Sequence, residues 1–358
     1  MIRNYLFFVL FILCNNGING QEKISIAVKP APVFIEQGEN NQYINFDFLV
    51  ANHSTDSLSL SRISLEVRDK NNVLVQKKFL DNNGTAPSIE MIPNRKFPGI
   101  SSQLIFNPFA DFNLTVPIHH LVYEFVFSAT QEQEIKVSII VNPKIYVQRL
   151  TYRFPLKGKV LVYDAHDLYA HHRRFNYEFP PIKALGLNSN FMRYAYDFVP
   201  LDKNNQEFKG EGKKDEDYIG FGNPVLAVGA GKVIYVSNDH KDDNRFDIPA
   251  LATNPLELYG NCIAILHPDS AVSIYGHLKQ NSIKLKTGEK VTGGQEIGKI
   301  GVSGSSFFPH LHFEMRTNIR HDAEGLPSYF SNIYLSEGAR KTKLASGLAE
   351  TGHIIEAK

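Results

Sequence analysis

The stretch His310-Leu311-His312-Phe313 sets two imidazoles two residues apart and runs into Glu314-Met315-Arg316. Such a segment reads as a β-strand, on which residues i and i+2 project from one face. Both rings are therefore expected at one site. Neutral imidazole ligates transition metals and transfers protons near neutral pH, so the pair can divide the two jobs. Ser273-Ile274-Tyr275-Gly276-His277-Leu278 reads as a second strand ending in a histidine. The polar segment from Asp164 to Arg174 holds His166, His171 and His172, three of the 13 histidines within seven residues, with Asp164 and Asp167 beside them. Alone, that segment reads as a solvated loop. It becomes a source of ligands only if the chain folds it over the histidine pair. His240, His267, His321 and His353 stand singly in polar surroundings and read as structural.

The elements that must position these groups follow from composition and periodicity. With 358 residues, 43% hydrophobic and 21% charged, the chain has the size and balance of two folded domains. Lys plus Arg at 38 against Asp plus Glu at 37 gives a net charge of +1, so no overall field attracts nucleic acid or an anionic membrane. Residues 1–20 combine Arg3, an apolar run from Tyr5 to Cys14 and a small-residue end at Gly20, the pattern of a secretory signal peptide. Bulky Leu13 before Cys14 argues against a lipid-modified cysteine. The expectation is an exported protein, periplasmic or extracellular, with no transmembrane anchor after cleavage. Only Cys262 then remains, so no internal disulfide can form. Its apolar run Cys262-Ile263-Ala264-Ile265-Leu266 reads as packing rather than a nucleophile.

Residues 21–150 alternate with period two between turns, as in Ile44-Asn45-Phe46-Asp47-Phe48 and Val122-Tyr123-Glu124-Phe125-Val126-Phe127. That pattern suggests an immunoglobulin-like β-sandwich without a catalytic cluster. Residues 151–340 read as a second β domain rich in glycine turns. Residues 341–358 read as a poorly packed C-terminal tail.

Within the second domain, the order of motifs resembles the M23 family of LytM or lysostaphin-type zinc metallopeptidases. The resemblance rests on Gly222-Asn223-Pro224-Val225, Tyr259-Gly260-Asn261, Tyr275-Gly276-His277-Leu278, Gly294-Gln295-Glu296-Ile297-Gly298 and Pro309-His310-Leu311-His312-Phe313-Glu314. It implies an all-β protein, the sandwich being followed by an M23-type antiparallel sheet with a groove across it. It further implies zinc (Zn2+) as cofactor and the peptide cross-links of bacterial peptidoglycan as substrate. By the same resemblance Asp197 and His312 match metal ligands, while His277 and His310 match the histidines that activate water and stabilise the oxyanion. The family's first ligand stands four residues before the aspartate, where this chain has Arg193, a guanidinium that cannot bind zinc.

Two readings follow. In one, His171 or His172, or failing them His166, completes the metal shell of an active endopeptidase. In the other, the domain has lost turnover and binds peptidoglycan or regulates a cell-wall amidase, a reading that Arg193 paired to Asp197 in the place of the metal would support.

Overall fold

A computed structural model describes residues 23–130 and 133–357, so the segment read as a signal peptide lies outside the described residues. The N-terminal unit follows from the period-two pattern. Strands Leu58–Arg68 and His120–Thr130 pair antiparallel and turn Ile63, Leu65, Val67, Tyr123, Phe125 and Phe127 inward, each fully buried. The sheet of Ile24–Lys29, Asp47–Asn52 and Ser101–Phe106 meets them across one core. There the rings of Phe48 and Phe125 lie 4.9 Å apart in an edge contact.

The second unit is built on an antiparallel sheet whose central strands carry the site. Cys262–Leu266, Val272–Gly276, Leu311–Arg316, Tyr196–Pro200 and Gly158–Asp164 lie side by side in that order. Leu311, Phe313 and Met315 point into the hydrophobic core while His312, Glu314 and Arg316 share the opposite face, as period two requires. Tyr196, Phe198, Phe313 and Phe330 stack and interlock beneath the site at centroid distances of 5.0 to 6.4 Å. The regular secondary structure of the described residues is almost entirely β, with one short helix, Pro180–Ala184, and four 3-10 turns. One glycine pair has a specific task. Gly260, at φ 58°, passes so close to Gly304 that a Cβ would lie 2.4 Å from the Gly304 nitrogen. This contact holds the 259–261 segment against Ser303, whose carbonyl orients His277.

The tail expected over 341–358 is corrected. Ile354–Ala357 inserts between Gly158–Asp164 and Ile333–Glu337, and Leu344, Leu348, Ala349 and Ile355 are buried. The segment is charged and glycine-containing, so local composition concealed a strand whose stability comes from two distant neighbours. Cys262 is a free, fully buried thiol, as its apolar run implied.

Candidate metal centre

Register brings the first groups together. Asp197 and His312 are cross-strand partners, and Gly276 is the partner of His312 on the other side. Side chains so paired on one face are neighbours. His312 Nδ1 lies 3.2 Å from Asp197 Oδ1, and His310 Nε2 lies 3.3 Å from the same oxygen. His277 follows Gly276 with its ring 4.9 Å from that of His310. Its backbone is in the left-handed region at φ 57°, a conformation few residues adopt without tertiary support.

The polar segment does fold over this group. His172 Nε2 stands 3.7 Å from Asp197 Oδ1, and its ring centroid is 4.7 Å from that of His312. His171 Nε2 stands 3.8 Å from the other oxygen, Oδ2. Behind them, Asp164 Oδ2 is 2.8 Å from His171 Nδ1 and 2.9 Å from His172 Nδ1. One carboxylate thus faces the Nδ1 side of both rings and leaves both Nε2 atoms directed at Asp197. The two histidines differ in access: the His172 side chain is 5% exposed and that of His171 66%.

The remaining contacts fix tautomers. A carbonyl only accepts, so His277 Nδ1–H donates to Ser303 O at 2.8 Å and His310 Nδ1–H donates to Phe308 O at 2.8 Å. Each ring keeps its Nε2 lone pair. His312 stacks on Tyr259 at 4.6 Å, and its Nε2 faces Glu314 Oε1 at 3.7 Å. Glu314 is in turn paired with Arg316 at 2.5 Å, and Arg316 donates to the Tyr259 hydroxyl. This wholly buried trio backs the His312 ring.

Electrostatics separates the groups. Burial opposes charge on Asp197, but His172 and His310 outweigh it and hold the carboxyl well below the usual carboxylate range. Burial likewise opposes the His312 imidazolium, yet its hydrogen bond to Asp197 and the nearby Glu314 carboxylate push the ring up to about 9. His277 moves the other way: burial, then His310 and His312, keep it well below the ordinary histidine value. Burial also lowers His172, against the attraction of Asp197. Asp164, which burial would raise, is drawn down to about 2 by His171 and His172.

Two expectations need correction. His166 lies away from the cluster: its Nδ1 is 2.6 Å from Glu36 Oε1 in the N-terminal unit, and its ring packs 4.3 Å from Tyr196. Replacing it with glutamine is expected to leave zinc stoichiometry unchanged, which elemental analysis checks. Arg193 does not pair with Asp197. Its Nη2 donates to Asp47 Oδ2 at 2.7 Å, again in the N-terminal unit. Burial alone would weaken its charge, but Asp47 reverses that and raises it. Tyr259, Glu314 and Arg316 stand in the motifs read from the sequence but had no role assigned there. The signal available was the two-residue spacing of 312, 314 and 316 on one strand face.

Comparison with known proteins bears on this cluster directly. Residues 217–323 match the family described as Peptidase family M23. The chain contains an M23-family domain. Cell division protein DipM of Caulobacter vibrioides is 30% identical over 95 residues, 26% of this chain and 13% of that protein. Peptidoglycan DD-endopeptidase ShyC of Vibrio cholerae is 29% identical over 130 residues, 36% of this chain and 26% of that protein. The chain thus spans well under a third of the length of either relative. The catalytic domain of lysostaphin from Staphylococcus simulans is 23% identical, covers 47% of this chain and 88% of its own, and superposes with a TM-score of 0.26. His277, His310 and His312 fall inside the residues matched to the family, whereas Asp197 and the 164–172 segment precede them.

Zinc is the cofactor an M23-family domain implies, and the residues present fit it. Imidazole nitrogens from two separate segments, at 172 and at 310–312, with a carboxylate from a third held ionised, form the mixed nitrogen and oxygen donor set that zinc takes. Asp164, His171, His172 and Asp197 also present donor atoms all within 4.8 Å of one another.

Proposed function

We propose that this chain is an exported zinc metalloendopeptidase that hydrolyses peptide cross-links of bacterial peptidoglycan, with His172, Asp197 and His312 as its protein ligands. The supporting observation is the convergence of His172 Nε2, His310 Nε2 and His312 Nδ1 on Oδ1 of the one buried aspartate. His172 takes the place that Arg193 vacates, since its ring is buried beside His312 whereas His171 opens to solvent. Asp164 turns the His172 ring, in the role a carboxylate commonly plays behind a metal-bound histidine. Three protein ligands leave a position open, and zinc bound there supplies Lewis acidity to a carbonyl and to water. His310 accepts the proton of the attacking water at Nε2, its Nδ1–H being fixed on Phe308. His277, neutral and locked on Ser303, stands across from it to meet charge developing on the carbonyl oxygen.

The cell-wall substrate rests on the M23-family domain and on relatives such as the DD-endopeptidase of Vibrio cholerae. Among the described residues no helix is long and apolar enough to cross a membrane. An Arg193–Asp197 pair would have supported the alternative, a non-cleaving module that binds peptidoglycan or a cell-wall amidase, and Arg193 is engaged by Asp47 instead. The test is zinc per chain together with digestion of purified sacculi. About one zinc and conversion of cross-linked muropeptides to monomers are expected. No zinc uptake would overturn the proposal, and zinc-loaded protein that leaves cross-links intact would favour the binding module.

A further inference from the structure

Arg193 and Arg173 meet on one carboxylate, and that carboxylate belongs to the other unit of the protein. Asp47 Oδ1 accepts from Arg173 Nη1 at 2.7 Å and Asp47 Oδ2 accepts from Arg193 Nη2 at 2.7 Å, all three side chains being buried. Arg173 is held further: its Nε donates to Asn45 Oδ1 at 3.0 Å and its Nη2 to the Phe46 carbonyl at 2.6 Å. Three consecutive residues, Asn45-Phe46-Asp47, therefore grip a single guanidinium. Their neighbours close the same seam. The Tyr194 hydroxyl donates to the Asn45 carbonyl at 3.3 Å, and the Asn45 amide donates to the His166 carbonyl at 2.9 Å.

The placement of the two arginines gives this seam its meaning. Arg173 directly follows His172, and Arg193 stands four residues before Asp197. We propose that Asp47 is a positioning residue for the metal centre: it clamps together the two segments that carry His172 and Asp197, so that the N-terminal unit completes the site. The inference rests on the reading of His172, Asp197 and His312 as ligands.

Three physical arguments carry it. Consecutive Cα atoms are about 3.8 Å apart, so a shift of Arg173 is passed almost undiminished to His172, whereas a metal bond tolerates errors of about 0.2 Å. The segment from Ala165 to Tyr177 forms no strand or helix. It is set instead by side-chain contacts, those to Asn45 and Asp47 and the bonds of the Asn190 amide to the His172 and Arg173 carbonyls. Finally, Asp47 is the carboxylate ion-paired with both Arg173 and Arg193, and Nε and Nη1 of Arg193 have no hydrogen-bond partner. Without Asp47, two buried cations would stand behind a site meant for a dication, which costs both geometry and affinity. Arg193 is thus the anchor by which the second unit takes hold of the first.

The experiment uses the full chain with zinc alone as probe. Zinc affinity is measured by competition with a chromophoric chelator, and coordination by the visible spectrum of the cobalt-loaded protein, for Asp47→Asn and Asp47→Glu. Asp47→Asn is expected to weaken zinc about 10- to 100-fold, the range typical of residues that orient ligands, and to alter the cobalt spectrum. Asp47→Glu, which keeps the charge, should recover part of both. Folded Asp47→Asn protein with wild-type affinity and spectrum would overturn the proposal. If Asp47→Asn does not fold, Asp47→Asn/Arg193→Met removes one of the two cations it strands, leaves Arg173 beside His172 and carries the same comparison. Hydrogen exchange of the unmutated chain gives an independent reading: zinc should slow exchange at residues 44–47 as well as at 171–174. Unchanged exchange at 44–47 overturns the coupling. Unmutated protein that takes up no zinc would instead overturn the ligand assignment.

Discussion

Alanine in place of His172 is expected to strip zinc from the protein, while alanine in place of His171 leaves it close to stoichiometric. The two residues are adjacent and share Asp164, so sequence alone treats them alike. Burial and direction separate them. His172 lies under the site with its ring against His312 and its Nε2 towards the oxygen that His310 and His312 also approach. His171 stands at the rim, towards the other oxygen. Zinc bound by a protein shell is worth roughly 10–16 kcal/mol, so each of three ligands accounts for about 3–5 kcal/mol, or about 10²- to 10⁴-fold in affinity. Loss of either His172 or His312 on that scale leaves apo protein after dialysis, as elemental analysis would show. The reverse result, zinc lost with His171→Ala and kept with His172→Ala, would transfer the third ligand to the exposed ring.

His310→Ala is expected to separate binding from chemistry. Its Nδ1–H is committed to the Phe308 carbonyl, so the ring can neither rotate nor change tautomer without losing a hydrogen bond in a buried position. The Nε2 lone pair is therefore preset to accept a proton. General-base catalysis contributes about 10²- to 10⁴-fold, equivalent to about 3–5 kcal/mol of transition-state stabilisation. The variant should lose that factor in kcat on cross-linked muropeptides while retaining zinc, because Asp197, His172 and His312 are intact. A His310→Ala protein that loses its zinc would show the ring to be a ligand, and one that keeps full turnover would remove His310 from the mechanism.

The residues that decide these outcomes were legible to different degrees. The His310 and His312 pair could be read directly, because strand periodicity is a local property of the backbone and two residues apart means one face. The M23 resemblance, the all-β class and Asp197 as a partner of His312 followed from ordered motifs in the sequence, and register between neighbouring strands brings that pair together. The choice among His166, His171 and His172 was not legible. Their placement depends on Glu36, which holds His166, and on Asn45 and Asp47, which hold Arg173 beside His172 from more than 120 residues away. Those three residues were disguised by their own pattern. In Ile44-Asn45-Phe46-Asp47-Phe48 the polar positions alternate with core residues and would face water on an isolated sheet, yet both are buried by the second unit. The strand Ile354–Ala357 was hidden for the same reason, since its hydrogen bonds come from strands elsewhere in the chain. The sequence by itself determined which groups are available for chemistry and that His310 and His312 share a site, because residue type and strand spacing are written locally. Only the tertiary structure decided which histidines lie beside Asp197 and what Arg193 does, because both depend on charges that meet across two folded units.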